Sequence, residues 1–395
     1  MSLVVASEVL SPLPNRRLAL LSAAIFFESG IYLPFFSIWL NARALDPGEI
    51  GIILAAPLIA KMLASPAITT IADRVGAIAP VLWGATIVFV FVTVALGFAH
   101  GFWPILVLVV VMGLAKGPFV ALSDAVTWRH LRLRLDPALH EHRYGRIRLW
   151  GSVGFIAANL VAGQFLGLFD AGALIWLILA AGVVASLSAF SLVRVPERDV
   201  GAVNEPAVRS GAIGPIAVLI AGTAMIQATH AMYYSFGSLH WAEIGYSGEM
   251  IGALWAGSVV AEVLFFLYAR PIAVRIGGPF ALISLGAAMA IGRWAAMSFD
   301  PGIAVLVLLQ FTHAITFGAT HLGAMMAIAY YAPAGMEVRA QGWLSATSAA
   351  MMAGFTTLSG LLYGAQGEAT YWLMAALAAI GLIVVARARR MALAG

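Results

Sequence analysis

Residues 32–51 read YLPFFSIWLNARALDPGEIG, and residues 233–252 read YYSFGSLHWAEIGYSGEMIG. Set one over the other, Trp39 meets Trp241, Glu49 meets Glu249 and Gly51 meets Gly252. The match runs on into ADRVG at 72–76 and VRIGG at 274–278, where Arg74 and Arg275 keep the offset of about 201 residues. Two apolar helices can align by chance, but a shared Trp, Glu, Gly and Arg at near-constant spacing marks an internal duplication. Each copy falls at an equivalent place in a helix 1–2–3 or helix 7–8–9 unit. The duplication predicts two pseudo-symmetric halves, 1–200 and 201–395.

Composition says where those halves reside. Of 395 residues, 62% are hydrophobic and only 10% charged, against about 25% charged in a soluble domain. Most of the surface must therefore face something other than water. The apolar runs are continuous, without two-residue alternation, so they predict helices rather than a barrel. Twelve are long enough to cross a bilayer: 18–41, 48–72, 78–99, 102–128, 148–168, 172–193, 213–240, 249–270, 279–298, 302–331, 342–363 and 370–387. The two long connections are 129–147 and 194–212. Residues 1–15 are not expected to be a cleaved leader, because the apolar stretch Leu3–Ala6 is too short and Arg16 and Arg17 follow it. The chain contains no Cys, which excludes disulfides and thiolate chemistry.

The net charge of +4 is explained by topology rather than by an acidic partner. With the N-terminus inside, 18 of the 22 Lys and Arg fall on the cytoplasmic side, and only Arg43 falls outside. That bias places both termini in the cytoplasm and removes any need for a nucleic-acid partner.

Ionisable side chains inside spans are costly and normally face a partner or water. The candidates are Glu28, Lys61, Lys116, Asp124, His230, Glu262, Arg293, His313 and His321, with Arg148 at the inner end of helix 5. The repeat pairs Glu28 with His230 and Lys61 with Glu262, positions expected to line a cavity between the halves. Glu262 is a proton-carrier candidate, because a carboxylate in a low-dielectric site can load and release protons; a structural ion pair with Lys61 or Arg293 is the alternative. His313 and His321 are eight residues apart, about two helical turns, and point the same way. They are either proton-handling or packing histidines. No third His or carboxylate stands at ligand spacing, so no metal is expected. Asp124 and Arg148 are placed to meet as a bidentate pair that binds substrate or closes an inner gate. Glu28 and Lys116 are lesser candidates for substrate contact. Tyr233 and Tyr234 stack on a ligand ring or simply pack. Asp73, Arg74 and Gly76 at the helix 2–3 turn, with Arg275 in the second half, form a conformational brace rather than a binding site.

The turn IADRVG at 71–76 resembles the signature loop of the major facilitator superfamily, with Thr69 where the first Gly is usual and Ala77–Ile78 in place of the usual basic pair. YGRIRLWGSVGF at 144–155 is similar to the helix 4–5 segment of lactose-permease-like proton symporters. In that likeness Arg148 and Asp124 fall on their sugar-site pair and His313 on their helix 10 histidine, while Thr316 replaces their proton-carrying Glu. GIYLPFFSIWL at 30–40, LSDA at 122–125, HAMYYSF at 230–236, VVAEVLFF at 259–266, GRWAAM at 292–297 and QFTHAITFGATHLGAM at 310–325 more closely resemble the phenylpropionate permease family of bacteria. In that pattern Lys61, Asp124, Arg148, His230, Glu262, Arg293, His313 and His321 fall on polar family positions.

The resemblance implies an all-α major facilitator fold and a monomer in a bacterial inner membrane. It also implies proton-driven uptake of an aromatic carboxylate, with the proton gradient as energy source and no cofactor. Rival readings are a proton-antiport exporter, a sugar or nucleoside symporter, and a membrane receptor that binds without flux. No nucleophile–base set points to an enzyme.

Overall fold

A computed structural model describes residues 13–134, 137–193, 195, 213–333 and 336–394, and every regular element among them is helical. The chain separates into two compact units, one comprising Met1–Arg43 and Ala60–Val203, the other Ala44–Ile59 and Asn204–Gly395.

The first unit is built from α1 (Leu13–Ala42), the C-terminal part of α2 (Pro47–Val75) from Ala60 on, α3 (Ile78–Phe98), α4 (Phe102–Lys116), α5 (Phe119–Arg134), α6 (Pro137–Leu168) and α7 (Leu174–Val193). Helix α1 packs along α6, and α3 along α7. The α1–α6 crossing explains the glycines of the 144–155 segment. A Cβ on Gly154 would collide with the Ala23 carbonyl, and one on Gly151 would lie 2.9 Å from Phe26 and Ser22. Only glycine lets the two backbones approach this closely.

The second unit holds the N-terminal part of α2 up to Ile59, then α8 (Ile213–Ala228), α9 (Ala231–Glu243), α10 (Gly248–Leu267), α11 (Ala269–Ile276), α12 (Pro279–Met297) and α13 (Ile303–Phe311). A π-helical turn (Ala314–Ala319) follows, then α14 (Thr320–Tyr331), α15 (Glu337–Gln366) and α16 (Tyr371–Ala394). Its core gathers Ile216, Phe280, Ile283, Ile328, Leu344 and Val385 from α8, α12, α14, α15 and α16. Large apolar side chains cover the outside of both units, among them Leu63, Phe91, Trp103, Leu264, Leu308 and Ile383. That surface suits hydrocarbon rather than water.

Eleven described stretches are long and apolar enough to cross a bilayer. The last, Arg339–Leu393, is 55 residues long and contains both α15 and α16, which are joined by a 3-10 turn at Gly367–Thr370. Four of the expected spans are interrupted: at Gly117–Pro118, at Thr229–His230, at Tyr268 and by the π turn. The expected connection 129–147 is largely helix, a correction to the sequence reading. Helix α5 continues to Arg134, and α6 begins at Pro137. Proline at a first helical position lacks a donor that would be unpaired anyway, so a polar helix can start there and run on into the membrane. The connection 194–212 lies, apart from Val195, outside the described residues.

The repeat reappears in the turns. Gly76 and Gly277 both adopt positive φ, +70° and +98°. These left-handed positions are open to glycine without steric cost.

Candidate functional site

In the second unit the helices are interrupted beside a cluster of buried polar side chains. At the α8–α9 junction His230 N–H bonds to Gln227 O three residues back. The loosened carbonyls are taken up by side chains: Thr229 Oγ1 donates to Ile226 O at 2.7 Å, and His230 Nδ1–H to Gln227 O at 3.1 Å. A break at membrane depth is tolerated when its polar groups are satisfied in this way. Trp294 Nε1 donates in turn to Thr229 Oγ1 at 2.9 Å, tying α12 to the break.

Arg293 sits at the centre of this set and is 1% exposed. Its Nη1 donates to Thr316 Oγ1 at 3.1 Å and to His313 Nδ1 at 3.2 Å, and its Nη2 to Gln310 Oε1 at 3.3 Å. The guanidinium also lies over the rings of Tyr233 at 4.8 Å and Trp294 at 4.6 Å. These partners are neutral, so the charge is spread over oxygen, imidazole nitrogen and π faces rather than cancelled by direct pairing.

That geometry fixes the protons. A guanidinium has no acceptor, so His313 Nδ1 must present its lone pair to Arg293 and carry its hydrogen on Nε2. Nε2 faces Glu262 Oε2 at 3.7 Å. His230 donates from Nδ1, so its Nε2 accepts from Thr316 Oγ1 at 3.1 Å. Thr316 thus receives from Arg293 and gives to His230. Both histidines are neutral in this arrangement, and the lone pair of His313 is occupied by Arg293. Glu262, which faces His313 Nε2 from α10, is partly exposed.

The π turn sets this register. It adds a residue between His313 and Thr320, and such insertions are frequent at functional sites. The rings of His313, Phe317 and His321 form a parallel stack with centroid steps of 5.5 and 5.9 Å, so the two histidines share a face as expected. Tyr233 is fully buried: its hydroxyl donates to Gln310 Oε1 at 2.8 Å, and its ring stacks on Trp255 at 4.4 Å. It braces Gln310 and Arg293. Tyr234 is half-buried beside the rings of His230, Trp255 and His313.

The first unit holds two further sets. Lys116 ends α4 and donates to Glu28 at 2.7 Å to either carboxylate oxygen, with Glu28 1% exposed. The ammonium lies 4.1 Å from the Tyr32 ring centroid. Gly117 lets α2 come close, since a Cβ there would stand 3.0 Å from Lys61 Cα. Lys61 itself is exposed. Glu28 and Lys116, the lesser candidates of the sequence, form a close ion pair on a buried carboxylate. Each stood out as an ionisable residue inside a span, but nothing in the chain pointed from one to the other across 88 positions.

Asp124 on α5 and Arg148 on α6 do come together, but not as the expected fork. The contact is Arg148 Nε to Asp124 Oδ1 at 3.8 Å. Tyr144 lies within electrostatic reach of both groups, and the guanidinium carbon lies over the Phe26 ring, 4.0 Å from its centroid. With the guanidinium over Phe26 and only Nε near the carboxylate, the pair is loose and a third exposed on each side. Arg74 and Arg275 are exposed, in the last turns of α2 and α11, ahead of the positive-φ glycines. Arg129 Nη1 donates to Gly76 O at 3.4 Å, bracing the first of these turns. The Asp73 side chain lies outside the described residues.

Residues 18–374 match the MFS_1 like family. The chain is 33% identical over 375 residues to the "Probable 3-phenylpropionic acid transporter" of Escherichia coli (strain K12), covering 92% of this chain and 95% of that protein. It is 28% identical over 367 residues to the maltose permease of Geobacillus stearothermophilus, with 91% of each chain covered. The crystal structure of nucleoside transporter NupG superposes with a TM-score of 0.79 at 17% identity, covering 95% of this chain and 98% of that one. That last likeness speaks to the fold alone.

Proposed function

Because this chain belongs to the MFS_1 like family and is a multi-pass secondary transporter, we propose that it is a proton-coupled symporter for a small aromatic carboxylate, working by alternating access. The observation that carries the coupling is the line Arg293–His313–Glu262. Arg293 pins the His313 tautomer, His313 presents Nε2–H to Glu262, and Glu262 loads and releases the proton. Binding the proton removes one negative charge and binding a monocarboxylate restores it. A carrier that requires both moves with unchanged net charge, whereas one holding a single partner must move an uncompensated charge through low dielectric.

The carboxylate needs a cation within reach. Arg293 is enclosed and stays in its structural role. Lys61 is exposed and Arg148 keeps an edge that Asp124 does not engage, so these two suit the substrate anion. The aromatic class rests on the similarity to a transporter whose name states 3-phenylpropionic acid. We assign twelve spans, α15 and α16 being separate crossings, in a bacterial inner membrane. The chain acts as a monomer; the arginine bias supports both termini on the cytoplasmic side.

Uptake of labelled 3-phenylpropionate into proteoliposomes, with and without an inward proton gradient, tests the reading. Accumulation that depends on the gradient is expected. Accumulation of maltose or nucleosides instead would replace the substrate class, and export from loaded vesicles would replace symport.

A further inference from the structure

A second set of titratable groups is joined in the second unit where α9, α12 and α15 end, apart from Glu262. Tyr363 Oη donates to Glu243 Oε2 at 2.6 Å. Its one hydrogen is then committed, so its 3.1 Å contact with His240 Nδ1 has the imidazole as donor. Nε2 of the same ring faces Asp300 Oδ1 at 3.4 Å. The chain Glu243–Tyr363–His240–Asp300 thus has three links and a carboxylate at each end. Tyr363 and a neutral His240 bring two hydrogens between them. Running the chain in the opposite sense only moves the deficit to Glu243. Either way the third link requires one proton from solution.

The surroundings make this a built site. His240 and Tyr363 are 8% and 6% exposed, while the Asp300 side chain is 40% exposed and gives solvent access. Tyr363 is fixed by stacking on Phe236 at 4.9 Å. Asp300 is held at φ +48°, a conformation that Asp tolerates better than most residues. Glu368 and Tyr371 are the further titratable groups within electrostatic reach of Tyr363.

We infer that Glu243, Tyr363, His240 and Asp300 form a proton-binding clip that joins the ends of α9, α12 and α15 while the proton is bound and releases them when it leaves. The sign follows from linkage: the closed form holds one more proton than the open form, so closure is favoured at low pH and lost as pH rises. The inference does not depend on which solute is carried.

Asp300→Asn separates this idea from simple packing. The Asn amide supplies its own hydrogen to Nε2, completing the chain without a proton from solution, and Asn also suits the positive φ. Hydrogen exchange of the purified full-length protein in nanodiscs, corrected for intrinsic rates, would follow segments 296–303 and 360–370 at about pH 5.5 and about pH 8. The wild type should be protected about tenfold more at the lower pH. Asp300→Asn should be equally protected at both, and Tyr363→Phe equally unprotected at both. A wild type without pH dependence, or an Asp300→Asn variant that keeps it, would overturn the inference. If Tyr363→Phe does not fold, the comparison of Asp300→Asn with wild type still decides.

Discussion

Replacing Thr316 by Val keeps the shape of the side chain and removes one hydroxyl from the centre of the second unit. That hydroxyl accepts from Arg293 at 3.1 Å and donates to His230 at 3.1 Å, and it is fully buried. A hydrogen bond to a charged group is worth about 1.5–3 kcal/mol, and a buried acceptor left without a donor costs about 1–3 kcal/mol. Arg293 Nη1 retains His313, which limits the first loss. The expected total is about 3 kcal/mol, roughly a hundredfold in the folding equilibrium. The assay is unfolding in mixed micelles followed by tryptophan fluorescence, to which Trp294 and Trp255 beside the set contribute. Thr312→Val is the control, because that hydroxyl serves only Leu309 O one turn back. It should cost under about 1 kcal/mol. Thr316→Ser should recover most of the loss. Equal costs for Thr316→Val and Thr312→Val would refute the view that one hydroxyl links Arg293 to His230.

Three further outcomes follow from the geometry. Arg148→Lys should raise the KM for the carboxylate about tenfold or more with a smaller change in maximal rate, since Lys forfeits the planar fork and the contact with the Phe26 ring; concentration dependence of uptake checks it. Gly154→Leu should destabilise the first unit by about 1–3 kcal/mol or prevent folding, because its Cβ meets the Ala23 carbonyl; thermal stability of purified protein reports this. Initial uptake rates should be insensitive to an imposed membrane potential, because one proton and one monocarboxylate carry no net charge; valinomycin-clamped vesicles measure it.

Much of the architecture was legible in the chain because its causes are local. Run length gives the helices that are long and apolar enough to cross a bilayer. The glycines at 76 and 277 mark turns that the structure shows at positive φ. The break at Gly117–Pro118 carried a local signal in the Gly-Pro pair. The break at Thr229–His230 and the π turn did not. Their partners are distant side chains, Trp294 and Arg293, which donate hydrogen bonds there. Site legibility divides the same way. Ionisable residues within spans announce themselves by cost, which is why Glu262, Arg293 and His313 stood out. Their pairing is tertiary, so the joining of Glu28 to Lys116 and the single loose contact of Arg148 with Asp124 became visible only in three dimensions. The helical 137–147 segment was missed because polarity was read as loop, although a polar helix can extend beyond the membrane.

The claim at the centre is that Glu262 carries the coupled proton. Glu262→Gln keeps an oxygen for His313 Nε2–H but cannot titrate. Proteoliposomes bearing this variant should exchange labelled 3-phenylpropionate across the membrane near the wild-type rate while losing accumulation driven by a proton gradient. Gradient-driven accumulation that survives in Glu262→Gln would contradict the account.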